Sequence, residues 1–116
     1  MDERLEKALE VSNLMITFNN QRNLLKQEYK EKLLYHIDGF RFTINLELIN
    51  FVSFLVSSGI EESVVIDDNE NPCMIKDLSK FREDILDTYF QASNDYHSKF
   101  IDLKSKRSIK KLTLDV

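Results

Sequence analysis

The chain has 116 residues, a net charge of −4 at pH 7, 42% hydrophobic and 31% charged residues. That balance fits one folded, helix-rich domain and excludes a disordered chain. A single cysteine excludes an internal disulfide. The charged start, MDERLEKALE, lacks the apolar run of a signal peptide, and the most apolar stretch, 46–56, is far shorter than the roughly 20 residues that cross a bilayer. A soluble, intracellular protein that does not engage membranes is expected.

No glycine or proline interrupts residues 2–36. Ala8, Val11, Met15, Phe18, Leu25 and Tyr29 recur at steps of three and four, with Arg22 filling the place between Phe18 and Leu25. This heptad-like seam predicts a long helix capped by Asp2 and stopped near Gly39. Leu5, Leu9, Ile16, Leu33 and Leu34 widen the stripe, as for a helix packed on more than one neighbour. Phe40, Phe42 and Ile44 alternate with polar residues and predict a short strand over 39–45. Asn45 is then placed to cap a helix that runs to Ser58 and is closed by Gly59. That helix is apolar on most sides, so Leu46, Ile49, Val52 and Phe54 are candidates for an oligomer interface. The runs 63–66 and 73–76, separated by DDNENP, predict a β-hairpin near 63–76.

Leu78 and Ser79 read as staple and cap of a second long helix, whose stripe is Phe81, Ile85, Tyr89, Ala92, Tyr96, Phe100 and Leu103. After Ser105 the stripe is lost, and RSIKKLTLDV combines a basic run with alternating Leu112, Leu114 and Val116. The expected organisation is mainly α with minor β. Two long antiparallel helices, a short apolar helix and a small β-hairpin fill residues 1–104, and residues 105–116 form a docking tail. Lys104, Lys106, Arg107, Lys110, Lys111, Leu112, Leu114 and Val116 are its candidate partner-binding residues. Charge supports the division: residues 60–95 carry ten acidic and three basic side chains, residues 96–116 six basic and two acidic.

The residues that carry chemistry are sparse. Asp67, Asn69 and Asn71 match the first three ligand positions of a calcium-binding EF-hand loop. Pro72 then stands where the turn glycine belongs and Leu78 where the bidentate glutamate belongs. A solvated turn without a metal is therefore expected, tolerant of Asn at 67 and 68. His36, at the end of the first helix, and His97, facing solvent or beside the seam, have no second ligand at metal spacing. Cys73 reads as a small buried hydrophobe. Phosphate-loop, nucleophile-elbow and zinc-protease motifs are all missing, so neither an enzyme nor a cofactor is expected. Tyr89, Tyr96 and Phe100 near a basic tail fit base stacking, but at helical spacing they read first as core. The preferred reading is a non-enzymatic interaction protein that self-associates or docks with other proteins of a larger assembly. The alternative is a small regulatory or nucleic-acid accessory factor using the basic tail, which an acidic chain does not favour.

The order of elements resembles that of prefoldin-type chaperone subunits, at the level of topology alone. MDERLEKAL, NNQ at 19–21, VVIDDNENP at 64–72 and DILDTYF at 84–90 resemble a small protein of tailed phages (myophages) infecting marine cyanobacteria. That resemblance implies a setting and no catalytic residue: a structural or assembly component within a virion or in the cytoplasm of a bacterial host.

Overall fold

The computed structural model describes the backbone of residues 2–115 and the side chains of residues 2–107 and 109. The protein is mainly α with a minor β component. In chain order it runs α1 (Glu3–Lys32), β1 (Leu34–Ile37), β2 (Phe40–Thr43), α2 (Leu46–Ser57), β3 (Ser63–Ile66), β4 (Pro72–Ile75) and α3 (Leu78–Asp115). The chain divides into two compact units, residues 1–29 with 94–116, and residues 30–93.

The unit of residues 30–93 holds every buried side chain among the described residues. It starts where α1 ends. The helix stops at Lys32, earlier than the expected stop near Gly39, and Leu34–Ile37 pairs with Phe40–Thr43 as an antiparallel hairpin. Asp38 and Gly39 both take positive φ, 49° and 82°, the backbone a two-residue hairpin turn needs to match strand twist. His36 thus lies on a strand, opposite Arg41. The alternation around Phe40 marks one strand of a hairpin whose other strand, Leu34–Ile37, carries apolar residues that fit helical spacing equally well.

Residues 46–57 are helical, as expected. The Asn45 side chain accepts from the Leu48 amide at 2.8 Å, satisfying one orphan donor of the first turn. At the other end Gly59 has φ 80°; its amide bonds to Val56 O, and that of Ile60 to Leu55 O, both at 3.0 Å. This pair is a Schellman termination, which places a residue in the left-handed region. Ile49, Val52 and Leu55 are buried on the inner face. The β3–β4 hairpin pairs Val65 with Cys73 and Ser63 with Ile75. α3 is capped by Asp77, whose Oδ1 accepts from the Lys80 amide at 3.1 Å, and not by Ser79, because the helix begins at Leu78.

The core is closed by Phe42, Ile44, Val52, Val65, Ile75, Leu78, Phe81 and Ile85. Phe81 is its centre: the rings of Phe42 and Tyr35 approach it edge-on at 5.4 and 5.8 Å between centroids. Arg82 Nε donates to Ser53 Oγ at 3.1 Å, tying α3 to α2, and the Leu78 amide donates to Glu61 O at 3.0 Å.

The second unit consists of helix. Tyr29 stacks on Tyr96 with ring centroids 4.8 Å apart, Glu28 accepts from Lys99 Nζ, and the Arg107 guanidinium lies 4.6 Å from the Phe18 ring centroid. Positions rise along α3 as they fall along α1, so the two segments run antiparallel. Val11, Leu14, Phe18, Arg22, Leu25 and Tyr29 of α1 are half-covered. The seam is the expected one, except that Leu14 takes the place of Met15 and that Ala8 is exposed. On α3 the whole expected stripe is buried or half-buried. It continues to Arg107, one turn past Leu103, and the helix continues to Asp115. The break expected after Ser105 is therefore absent from the described backbone: Lys106 pairs with Asp102 one turn away, and Arg107 covers the Phe18 ring.

Candidate interaction surface

The segment proposed from sequence as an interface splits between its two faces. Ile49 and Val52 are 7% and 0% exposed and belong to the intramolecular core, whereas Leu46 and Phe54 are 59% and 66% exposed. Twelve residues of helix turn through more than three cycles, so one apolar segment cannot bury all its faces against a small neighbour. Phe51, missed in the sequence reading, joins the outer face at 46% exposure. Its signal was its spacing, three residues before Phe54.

The outer face of β3–β4 adds Val64, Ile66 and Met74, all exposed, with Val64 and Met74 directly paired. Strand alternation explains this: Val65, Cys73 and Ile75 point inward, so their neighbours point out. Phe51 and Leu48 of α2 and Val64 and Ile66 of β3 line one open groove of about 320 Å³, floored by Phe42 and rimmed by Glu47 and Asp68. Exposed apolar patches of this kind mark interaction sites when they are contiguous and edged by polar groups.

The DDNENP loop forms the rim and is more than a solvated turn. Asp67 is buried at 6% exposure. Its Oδ1 accepts from the Asn69 and Asn71 amides at 2.9 and 2.8 Å, and its Oδ2 from the Arg41 amide at 3.4 Å. Asp68 reaches the same strand: its amide donates to Arg41 O at 2.9 Å, and its carboxylate accepts from the Thr43 amide, the Thr43 hydroxyl and Arg41 Nε. The loop thereby covers part of the free edge of β2, protecting its backbone groups from pairing elsewhere. Burial alone would raise the Asp68 carboxyl, but the Thr43 hydroxyl and amide, then the Arg41 guanidinium, outweigh it and hold it below its ordinary value. The expected tolerance to Asn at these positions is corrected by this geometry, since a carboxylate that accepts at both oxygens has no amide equivalent.

A second, larger opening of about 430 Å³ is lined by Tyr35, Lys76, Lys80, Phe81 and Asp84 among others. Tyr35 Oη donates to Asp84 Oδ2 at 3.2 Å. Burial, then the Asp84 charge and this bond, push the phenol above its ordinary value. Cys73 is 3% exposed, and burial, then Asp38 and Asp67, push its thiol up. A thiol held protonated is a poor nucleophile. His36 and His97 are both exposed. Among the described residues no group of three or more His, Cys, Asp or Glu is placed to hold a metal ion, and no helix is long and apolar enough to cross a membrane.

The basic candidates are partly engaged already. Lys106 pairs with Asp102 at 3.1 Å one turn away, and Arg107 covers Phe18. Lys104 is exposed. The side chains of Lys110, Lys111, Leu112, Leu114 and Val116 lie outside the described residues. Comparison with known proteins finds no matching family, no matching curated sequence and no matching solved structure.

Proposed function

We propose that this protein is a non-enzymatic helical interaction module that self-associates or docks in a larger assembly, and that it serves as a structural or assembly component of a phage virion. The observation that carries the reading is the number of large apolar side chains left exposed on α2 and on the outer face of β3–β4, Leu46, Phe51, Phe54, Val64, Ile66 and Met74, of which Phe51, Val64 and Ile66 share one groove. These side chains are already about half covered, so covering the rest would contribute about half of the roughly 1.5–3 kcal/mol that full burial of each gives, set against the entropy cost of association. The phage setting rests on the resemblance in sequence.

The test is solution mass by light scattering at micromolar concentration, on the full chain and on Phe54→Asp. A mass of at least a dimer, reduced in the variant without loss of helicity, is the expected result. A monomeric full chain that binds no hydrophobic dye overturns the proposal. Tight DNA binding that weakens steeply with salt would instead support the regulatory alternative, because phosphate contacts release counterions.

A further inference from the structure

α1 carries a second stripe on the side away from α3. Successive helical residues advance by about 100°, which puts Leu5, Leu9, Ser12, Ile16, Asn20 and Asn23 along one line. All six are exposed, whereas the seam residues Val11, Phe18, Leu25 and Tyr29 on the opposite side are half-covered. No charged residue falls on this line between Leu5 and Asn23; Glu6, Lys7, Glu10 and Arg22 all project elsewhere. Charge-free helix surface over five turns is unusual in a chain with 31% charged residues. None of the described residues of this unit is fully buried, so its helices lack the tertiary burial that ordinarily supplies most helical stability.

We propose that this stripe is covered by the same stripe of a second copy, with the two α1 helices parallel and in register. The reasons for this occupant are on the stripe itself. A two-fold contact sets each residue near its own equivalent, so a charged stripe would repel itself and this one does not. Its N-terminal part, Leu5, Leu9, Ser12 and Ile16, is apolar apart from the small Ser12 hydroxyl and meets its like. Its C-terminal half is made of carboxamides, each carrying both donor and acceptor, and these bond to one another. An antiparallel arrangement would press Leu5 and Leu9 against amides. Asparagines in such a seam lower stability while fixing register and strand number. The inference rests on the self-association proposed above but places a contact on different residues.

Single cysteines on the full chain test it, since the native Cys73 is buried. Ser12→Cys and, separately, Asn23→Cys are oxidised mildly and run without reductant, with Glu10→Cys as the off-stripe control. Both stripe variants are expected to form a covalent dimer as the major species, at least fivefold above the control. Dimer at only one of the two, as an antiparallel pair gives, overturns the parallel register. Equal dimer in the control, or none in either stripe variant, overturns the interface. If Ser12→Cys or Asn23→Cys fails to fold by circular dichroism, Ile16→Glu decides: it should weaken self-association at least tenfold in sedimentation, and unchanged association overturns the proposal. A monomeric wild-type chain ends both this inference and the functional reading. An oligomer that Phe54→Asp dissociates, without cross-linking through 12 and 23, ends this inference alone.

Discussion

Asp67 and Asp68 are neighbours in sequence with different duties. Asp67 organises the β3–β4 turn from inside, and its removal leaves the Asn69, Asn71 and Arg41 amides to find other acceptors. Asp67→Ala should lose about 1.5–3 kcal/mol, the net range for hydrogen bonds to a charged group, seen as a melting temperature lowered by several degrees. Calcium should not change that difference. Asp68 works from the rim, and its lowered carboxyl carries a sign. A carboxyl depressed in the folded state contributes stability that is present above its unfolded value and is lost as pH falls through the folded one. The wild type should therefore exceed Asp68→Asn in stability at neutral pH. The gap should close on acidification below the ordinary aspartate value of about 4, measured by denaturant midpoints across pH. Tyr35 has the opposite sense. A phenol raised in the folded state contributes stability present below its unfolded value of about 10 and lost as pH rises through the raised one. Tyr35→Phe should flatten that alkaline loss in the same titration.

At the scale of elements, α2 shows how short signals outrank composition. Its β-branched and aromatic residues favour a strand, yet a capped start at Asn45 and a Schellman end at Gly59 make it a helix. Asn45→Ala should cost about 1 kcal/mol. Gly59→Ala meets no atom within 4 Å, so its cost is the left-handed backbone alone, about 1–2 kcal/mol. Thermal unfolding of both variants and the double variant checks this, and because they cap opposite ends of one helix their effects should add. The Asp38–Gly39 turn shows the reverse situation. An Asp-Gly pair between two alternating runs is a strong hairpin signal, and it was legible in LYHIDGFRFT. The unbroken heptad upstream masked it, because helical spacing fits Leu33 and Leu34 as well as it fits Tyr29.

At the scale of the molecule, burial is uneven. Residues 33–92 contain all the fully buried side chains among the described residues. Amides there should exchange slowest with solvent, whereas those of residues 3–29 should exchange faster in dilute solution and slow as concentration rises, since local opening follows buried contact. Hydrogen exchange at two protein concentrations measures this. Deleting residues 105–116 removes Arg107 from Phe18 but no buried side chain among the described residues, so the cooperative melt of residues 30–93 should persist while self-association changes. A truncated chain that no longer melts cooperatively would place the C-terminal segment in the core.

Periodicity and punctuation in the sequence determined the mainly helical class, the two long helices, the α2 caps and the β3–β4 hairpin, because each depends on neighbours within a few positions. The stripe of α3 was legible for the same reason, down to Ala92. What only the tertiary structure decided was which apolar faces are covered. Ile49 and Phe54 are five positions apart in one apolar helix, and nothing local distinguishes them; the burial of one at 7% exposure and the exposure of the other at 66% do. The same holds for Asp67, whose acidic, turn-like surroundings describe a solvated loop until the edge of β2 arrives beside it. Long-range contact assigns burial, and burial separates a core residue from an exposed one.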